Sequence, residues 1–69
     1  MNAARSLALF KQLQRIYTEL AAALPDDPAG AGKKDWSGKL GKAVNHVWLA
    51  KERLMDDVKE RAVSELRGE

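Results

Sequence analysis

The chain contains no cysteine, which excludes disulfides and thiolate metal sites. It contains one histidine, His46, and a single imidazole cannot build a zinc site without carboxylate help. No apolar run approaches the roughly 20 residues of a membrane span. The opening "MNAARSLALF" is interrupted by Lys11 and Gln12, too early for a signal peptide, so a cytoplasmic protein without a membrane segment is expected. Charge of one sign is also lacking. Twelve basic against ten acidic residues leave a net charge of +2, too little for a dedicated nucleic-acid arm. Catalytic sets are missing as well: no Ser-His-Asp or Cys-His arrangement and no glycine-framed nucleophile can be assembled. The expectation is a protein that is not an enzyme and carries no cofactor.

At 69 residues the chain forms one small domain at most. A core of that size seldom contributes more than about 3–5 kcal/mol, so small folds need a staple. With disulfides and metals excluded, oligomerisation or partner binding remains.

What is present is helical periodicity. From Ala3 to Leu24, Leu9, Phe10, Leu13, Ile16, Tyr17, Leu20 and Leu24 recur in steps of three and four. They fill one face of a helix, with Lys11, Arg15 and Glu19 opposite. Pro25, followed by two aspartates and Pro28, ends it. A second helix is predicted from about Asp35, as N-cap, to Arg67. Its main stripe is Trp36, Leu40, Val44, Val47, Ala50, Leu54, Val58 and Ala62. The joint 25–34 is long enough to reverse the chain. The fold class is therefore all-α: one domain, 1–69, built as an antiparallel two-helix hairpin with helices over about 3–24 and 35–67. Trp48, Met55, Ala62 and Leu66 form a second apolar stripe beside the main one. Two hairpins joined as a four-helix bundle would bury it, so a homodimer is expected, with those four residues at the interface.

Two stretches give three candidates for function. "GAGKKDWSGKLGK", residues 30–42, combines glycine with lysine, but a phosphate-binding P-loop needs glycine at position 33 and Ser or Thr at position 40. Those positions hold Lys33 and Leu40, and no strand precedes the loop. Lys33, Lys34, Lys39 and Lys42 would instead contact phosphates while Trp36 stacks on a base, which gives the alternative function, nucleic-acid binding through 33–42. Trp36 is in register with the main stripe, so it is expected in the core. Gly38 and Gly41, each costing about 1 kcal/mol against alanine inside a helix, are expected to mark a close approach of the first helix or of a second subunit. The third candidate lies on the back of the second helix, where Glu52, Asp56 and Glu60 repeat every four residues between Leu49 and Val63. Like charges at that spacing repel by about 0.2–0.5 kcal/mol per pair. Such a ridge suits a partner with a basic, apolar-lined groove.

Trp36-Ser37-Gly38 is similar to the Trp-x-Gly turn of small secreted helical-hairpin proteins, but the C-terminal tyrosine-based export signal of those proteins is missing. In length, lack of cysteine and two-helix layout the whole chain resembles the small phage-encoded inhibitors of host regulators, such as the phage anti-quorum-sensing protein, a short helical dimer. No motif is matched, so no residue role carries over. The resemblance implies a protein partner, a LuxR-type transcriptional activator, and as a second one a motor ATPase of pilus assembly.

Overall fold

The computed structural model describes every residue except Ala31, inside the predicted joint, and Glu69. It contains two helices, α1 (Ala3–Ala22) and α2 (Lys39–Leu66), packed against each other as an antiparallel hairpin. The molecule measures 54 × 18 × 14 Å with a radius of gyration of 15.9 Å. A compact chain of this length would have a radius near 11 Å, so the protein is a rod rather than a globule.

Helix α1 starts where Asn2 caps it, the side-chain Oδ1 accepting from the Arg5 amide at 2.8 Å. It ends two residues before the predicted Leu24, because a residue preceding proline disfavours helical backbone. Leu24 is nevertheless only 2 % exposed and continues the buried face beyond the helix.

Both helices meet along alternating three- and four-residue steps, the spacing of a left-handed coiled coil. On α1 the seam is Ala3, Ser6, Phe10, Leu13, Tyr17 and Leu20; on α2 it is Leu40, Val44, Val47, Lys51, Leu54, Val58, Arg61 and Glu65. All except Glu65 are buried or half-buried. This differs from the predicted stripes at several places: Leu9, Trp36 and Ala62 stand outside the seam, and Ser6 and Arg61 stand in it. Ile16 is 44 % exposed and Ala50 lies outside, while Lys51 takes the core position at 9 % exposure. Its aliphatic stem lies in the seam and its ammonium sits 5.5 Å from the Phe10 ring and 5.9 Å from the Tyr17 ring. A long cation can fill an apolar position in this way because only its tip is polar.

Residues 23–38 connect the helices, and those described, 23–30 and 32–38, make more hydrogen bonds than a plain joint. Asp26 and Lys34 form an isolated antiparallel bridge. The Asp27 amide donates to the Lys33 carbonyl at 2.9 Å and the Asp35 amide to the Pro25 carbonyl at 2.7 Å. Gly32, at φ +75°, takes the left-handed backbone that glycine adopts without a steric penalty.

Helix α2 begins at Lys39, not near Asp35. Gly38 is the N-cap residue and supplies no side-chain bond. Asp35 instead accepts from the Ser37 amide at 2.9 Å and the Ser37 hydroxyl at 2.6 Å, a local turn that competes with helix. Trp36 is thereby left in the loop, 40 % exposed, and does not enter the core as expected. The two glycines also part company. A Cβ on Gly41 would lie 2.1 Å from the Trp36 carbonyl oxygen, whereas one on Gly38 would meet nothing within 4 Å. The close approach at Gly41 is thus made by the chain's own loop backbone, and Gly38 marks none.

Candidate functional site

The outward face of α2 follows from its inward one. Because the seam occupies positions 40, 44, 47, 51, 54, 58 and 61, residues about half a helical turn away from it face solvent. Leu49, Glu52, Asp56, Glu60 and Val63 are all exposed, with Leu49 at 44 % and Val63 at 46 %. The structure therefore brings the five ridge residues onto one solvent-facing strip. Leu49 and Val63 are fourteen residues apart, so the strip is roughly 21 Å long. Glu52 Oε1 accepts from Lys51 Nζ at 3.2 Å, which offsets part of the repulsion at that end. Among the described residues Asp56 and Glu60 have no ion pair.

The second stripe is split in exposure. Trp48 is 43 % exposed and Leu66, the last residue of α2, 89 % exposed. Met55 and Ala62 are half-buried. Gly41, Trp48, Met55 and Ala62 follow one another at seven-residue intervals, so they form a continuous flank beside the seam.

Lys33, Lys34, Lys39 and Lys42 are exposed around Trp36. Lys34 Nζ pairs with Asp26 Oδ1 at 3.3 Å. Asp27 accepts from the Ala29 amide, and the hydrogen bonds from Ser37 hold the Asp35 carboxyl below its ordinary range. Three carboxylates therefore share the loop with Lys33 and Lys34, and Lys39 and Lys42 follow at the start of α2. His46 is exposed on α2.

The open end of the hairpin holds a polar cluster that sequence patterns did not single out. Ser6, fully buried, donates through its hydroxyl to Asp57 Oδ2 at 2.6 Å. Arg61 Nε donates to the same oxygen at 2.7 Å, and its Nη1 donates to the Met1 carbonyl. The Ala3 amide donates to Glu65 Oε1 at 2.9 Å. The Ser6 hydroxyl, followed by the Arg61 guanidinium, holds the Asp57 carboxyl below its ordinary range. Beside the cluster is an open cleft of about 360 Å³ lined by residues that include Asn2, Glu60, Arg61 and Glu65. The periodicity carried one signal for the cluster: Ser6 and Arg61 stand on the three-and-four spacing, at positions where an apolar residue is the default.

Among the described residues no helix is long and apolar enough to cross a membrane, and no group of three or more His, Asp or Glu side chains is placed to hold a metal ion. Comparison of the chain with protein-family models, curated proteins and solved structures finds no match.

Proposed function

We propose that the chain is a non-enzymatic helical module that binds a larger protein and inhibits or modulates it through the outer strip of α2. The observation that carries this reading is surplus surface with a defined pattern. The chain exposes 5188 Å², whereas a compact 7.6 kDa protein exposes about 4,300 Å². The difference, roughly 900 Å², is close to what one partner buries in a protein–protein interface of standard size. Within that surface the Leu49–Val63 strip joins two apolar anchors to three aligned carboxylates, complementary to a basic groove with apolar pockets.

A regulator that reads DNA has a basic surface of that kind. The likeness in size and layout to phage inhibitors of host regulators makes a LuxR-type activator the first partner to test, and a pilus-assembly ATPase the second. The module acts as a homodimer whose contact is the flank Trp48, Met55, Ala62 and Leu66, which lies beside the seam and leaves the strip uncovered.

The test is charge reversal. Glu52→Lys, Asp56→Lys and Glu60→Lys together should abolish binding to the purified activator while the helical circular-dichroism signal is kept. Undiminished binding by the folded triple variant sinks the reading.

One observation favours nucleic-acid binding as a second reading: Trp36 stands in the loop beside Lys33, Lys34, Lys39 and Lys42 instead of in the core. Asp26, Asp27 and Asp35 lie in the same loop and reduce its field, which keeps this reading second. A gel shift at low salt that disappears when the four lysines become glutamines would establish it, and no shift would remove it.

A further inference from the structure

Helix α2 carries two overlapping seams. The one that α1 occupies is Leu40, Val44, Val47, Lys51, Leu54, Val58 and Arg61. The other is Gly41, Val44, Trp48, Lys51, Met55, Val58 and Ala62. Both have the three-and-four spacing, and they share Val44, Lys51 and Val58. Turning α2 by about 50° about its axis would exchange one for the other. Apolar character does not single out the occupied seam, because it closes with Arg61 and Glu65 while the other, whose Gly41 lies under the Trp36 main chain, includes Trp48, Met55 and Ala62. The choice must come from elsewhere.

Besides the contacts of Arg61 with the Met1 carbonyl and of the Ala3 amide with Glu65 at the open end, two polar contacts further along the interface distinguish the observed pairing. The buried Ser6 hydroxyl reaches Asp57 at 2.6 Å, and Asp57 stands next to the occupied seam on the side away from Trp48. Seating α1 on the other seam would carry Asp57 off and strand a buried hydroxyl. Lys51 meets both Phe10 and Tyr17, the chain's one phenylalanine and one tyrosine, spaced one heptad apart. Sliding α1 by a heptad would leave Lys51 with Phe10 and Ala3, or with Tyr17 and Leu24, and so with one ring instead of two.

We propose that Lys51 and the Ser6–Asp57 pair select the face and register on which α1 sits, and so hold the Trp48–Met55–Ala62 seam open on the outside of the hairpin. Polar groups in a coiled-coil seam are known to specify pairing while lowering stability. The inference is independent of what covers the open flank, and holds if the binding reading above fails.

The experiment uses the full chain carrying Trp36→Phe, so that Trp48 reports alone. In that background Lys51→Leu should raise the thermal midpoint, since an apolar residue strengthens both seams. A lower midpoint would show that Lys51 serves stability and would overturn the proposal. The variant Ser6→Ala/Lys51→Leu/Asp57→Leu should remain helical but show more than one set of backbone amide resonances. With α1 divided between the two seams, acrylamide quenching of Trp48, read at a protein concentration where the chain is monomeric, should fall about two-fold. A rise in solution mass through exchange of α1 between chains counts as the same loss of selection. Restoring Lys51→Arg together with Ser6 and Asp57 should return a single set. The proposal fails if the triple variant shows one set of resonances with Trp48 as accessible as before, or if it loses its helical signal.

Discussion

The Ser6 hydroxyl donates to Asp57 Oδ2 across the helix interface at 2.6 Å, and this contact makes the open end of the hairpin sensitive to acid. The folded-state pKa of Asp57 lies below its ordinary value because Ser6 and then Arg61 bond to the ionised form. A depressed carboxylate stabilises the fold above its unfolded pKa of about 3.9 and loses that contribution as pH falls through the folded value. The thermal midpoint should therefore fall on acidification below about pH 4. Asp57→Asn should make that fall shallower. Asp35, depressed by Ser37, should supply part of the remaining slope, and Asp35→Asn should remove it. An unchanged slope in the Asp57→Asn variant would show that the clasp does not couple to stability.

Gly41 and Gly38 differ by three positions and should respond in opposite directions. A Cβ at Gly41 would overlap the Trp36 main chain, with 2.1 Å to the oxygen and 2.5 Å to the carbonyl carbon, so the loop must move. Gly41→Ala should cost about 1–3 kcal/mol, as overpacking does, despite the better helix propensity of alanine. Gly38 has open space around it and extended backbone with φ −81° and ψ −177°, which any residue adopts. Gly38→Asp should add the missing cap and place a negative charge at the positive end of α2, a gain of about 0.3–1 kcal/mol. Urea denaturation of the two variants checks both signs, and a stabilised Gly41→Ala would mean that the loop yields easily.

The hairpin itself could be read from the residues, since proline ended the first helix and the three-and-four spacing defined both buried faces. What escaped the reading was hidden by residue type. Lys51 and Arg61 hold seam positions, but their charge places them on the surface in any pattern of apolar residues, which points to Ala50 and Ala62 instead. The start of α2 was obscured by Asp35, whose carboxylate suits an N-cap but is bound to Ser37, and that shift of four residues moved Trp36 from core to loop. The outer strip was legible because it needs only the helical period and the absence of a partner helix on that side. The clasp at the open end was not, because Ser6 and Asp57 are 51 positions apart and no local spacing relates them.

Gly32 provides a test of whether the connecting loop matters to the fold. At φ +75° an alanine pays the left-handed penalty of about 1–2 kcal/mol, although its Cβ would meet nothing within 4 Å. Gly32→Ala should therefore lower stability by an amount set by backbone strain alone. The bridge beside it should matter less: Lys34→Ala removes an exposed pair with Asp26, worth about 0–1 kcal/mol. Equal losses in the two variants, measured by thermal melting, would contradict the structured loop described above.

Leu24 and Leu66 have identical side chains and opposite burial. Leu24 is 2 % exposed although it lies outside α1, and Leu66 is 89 % exposed although it belongs to α2. Leu24→Ala should cost about 2–5 kcal/mol, the range for a leucine cut from a core. Since a domain of this size holds only about 3–5 kcal/mol in total, the Leu24→Ala chain should be largely unfolded at 25 °C by circular dichroism. Leu66→Ala in the isolated hairpin should shift stability by less than about 0.5 kcal/mol, as surface changes do. The second value doubles as a probe of assembly. If Leu66 belongs to the dimer contact, its substitution lowers the midpoint at high protein concentration and leaves it unchanged at low concentration. A shift independent of concentration would remove Leu66 from that interface.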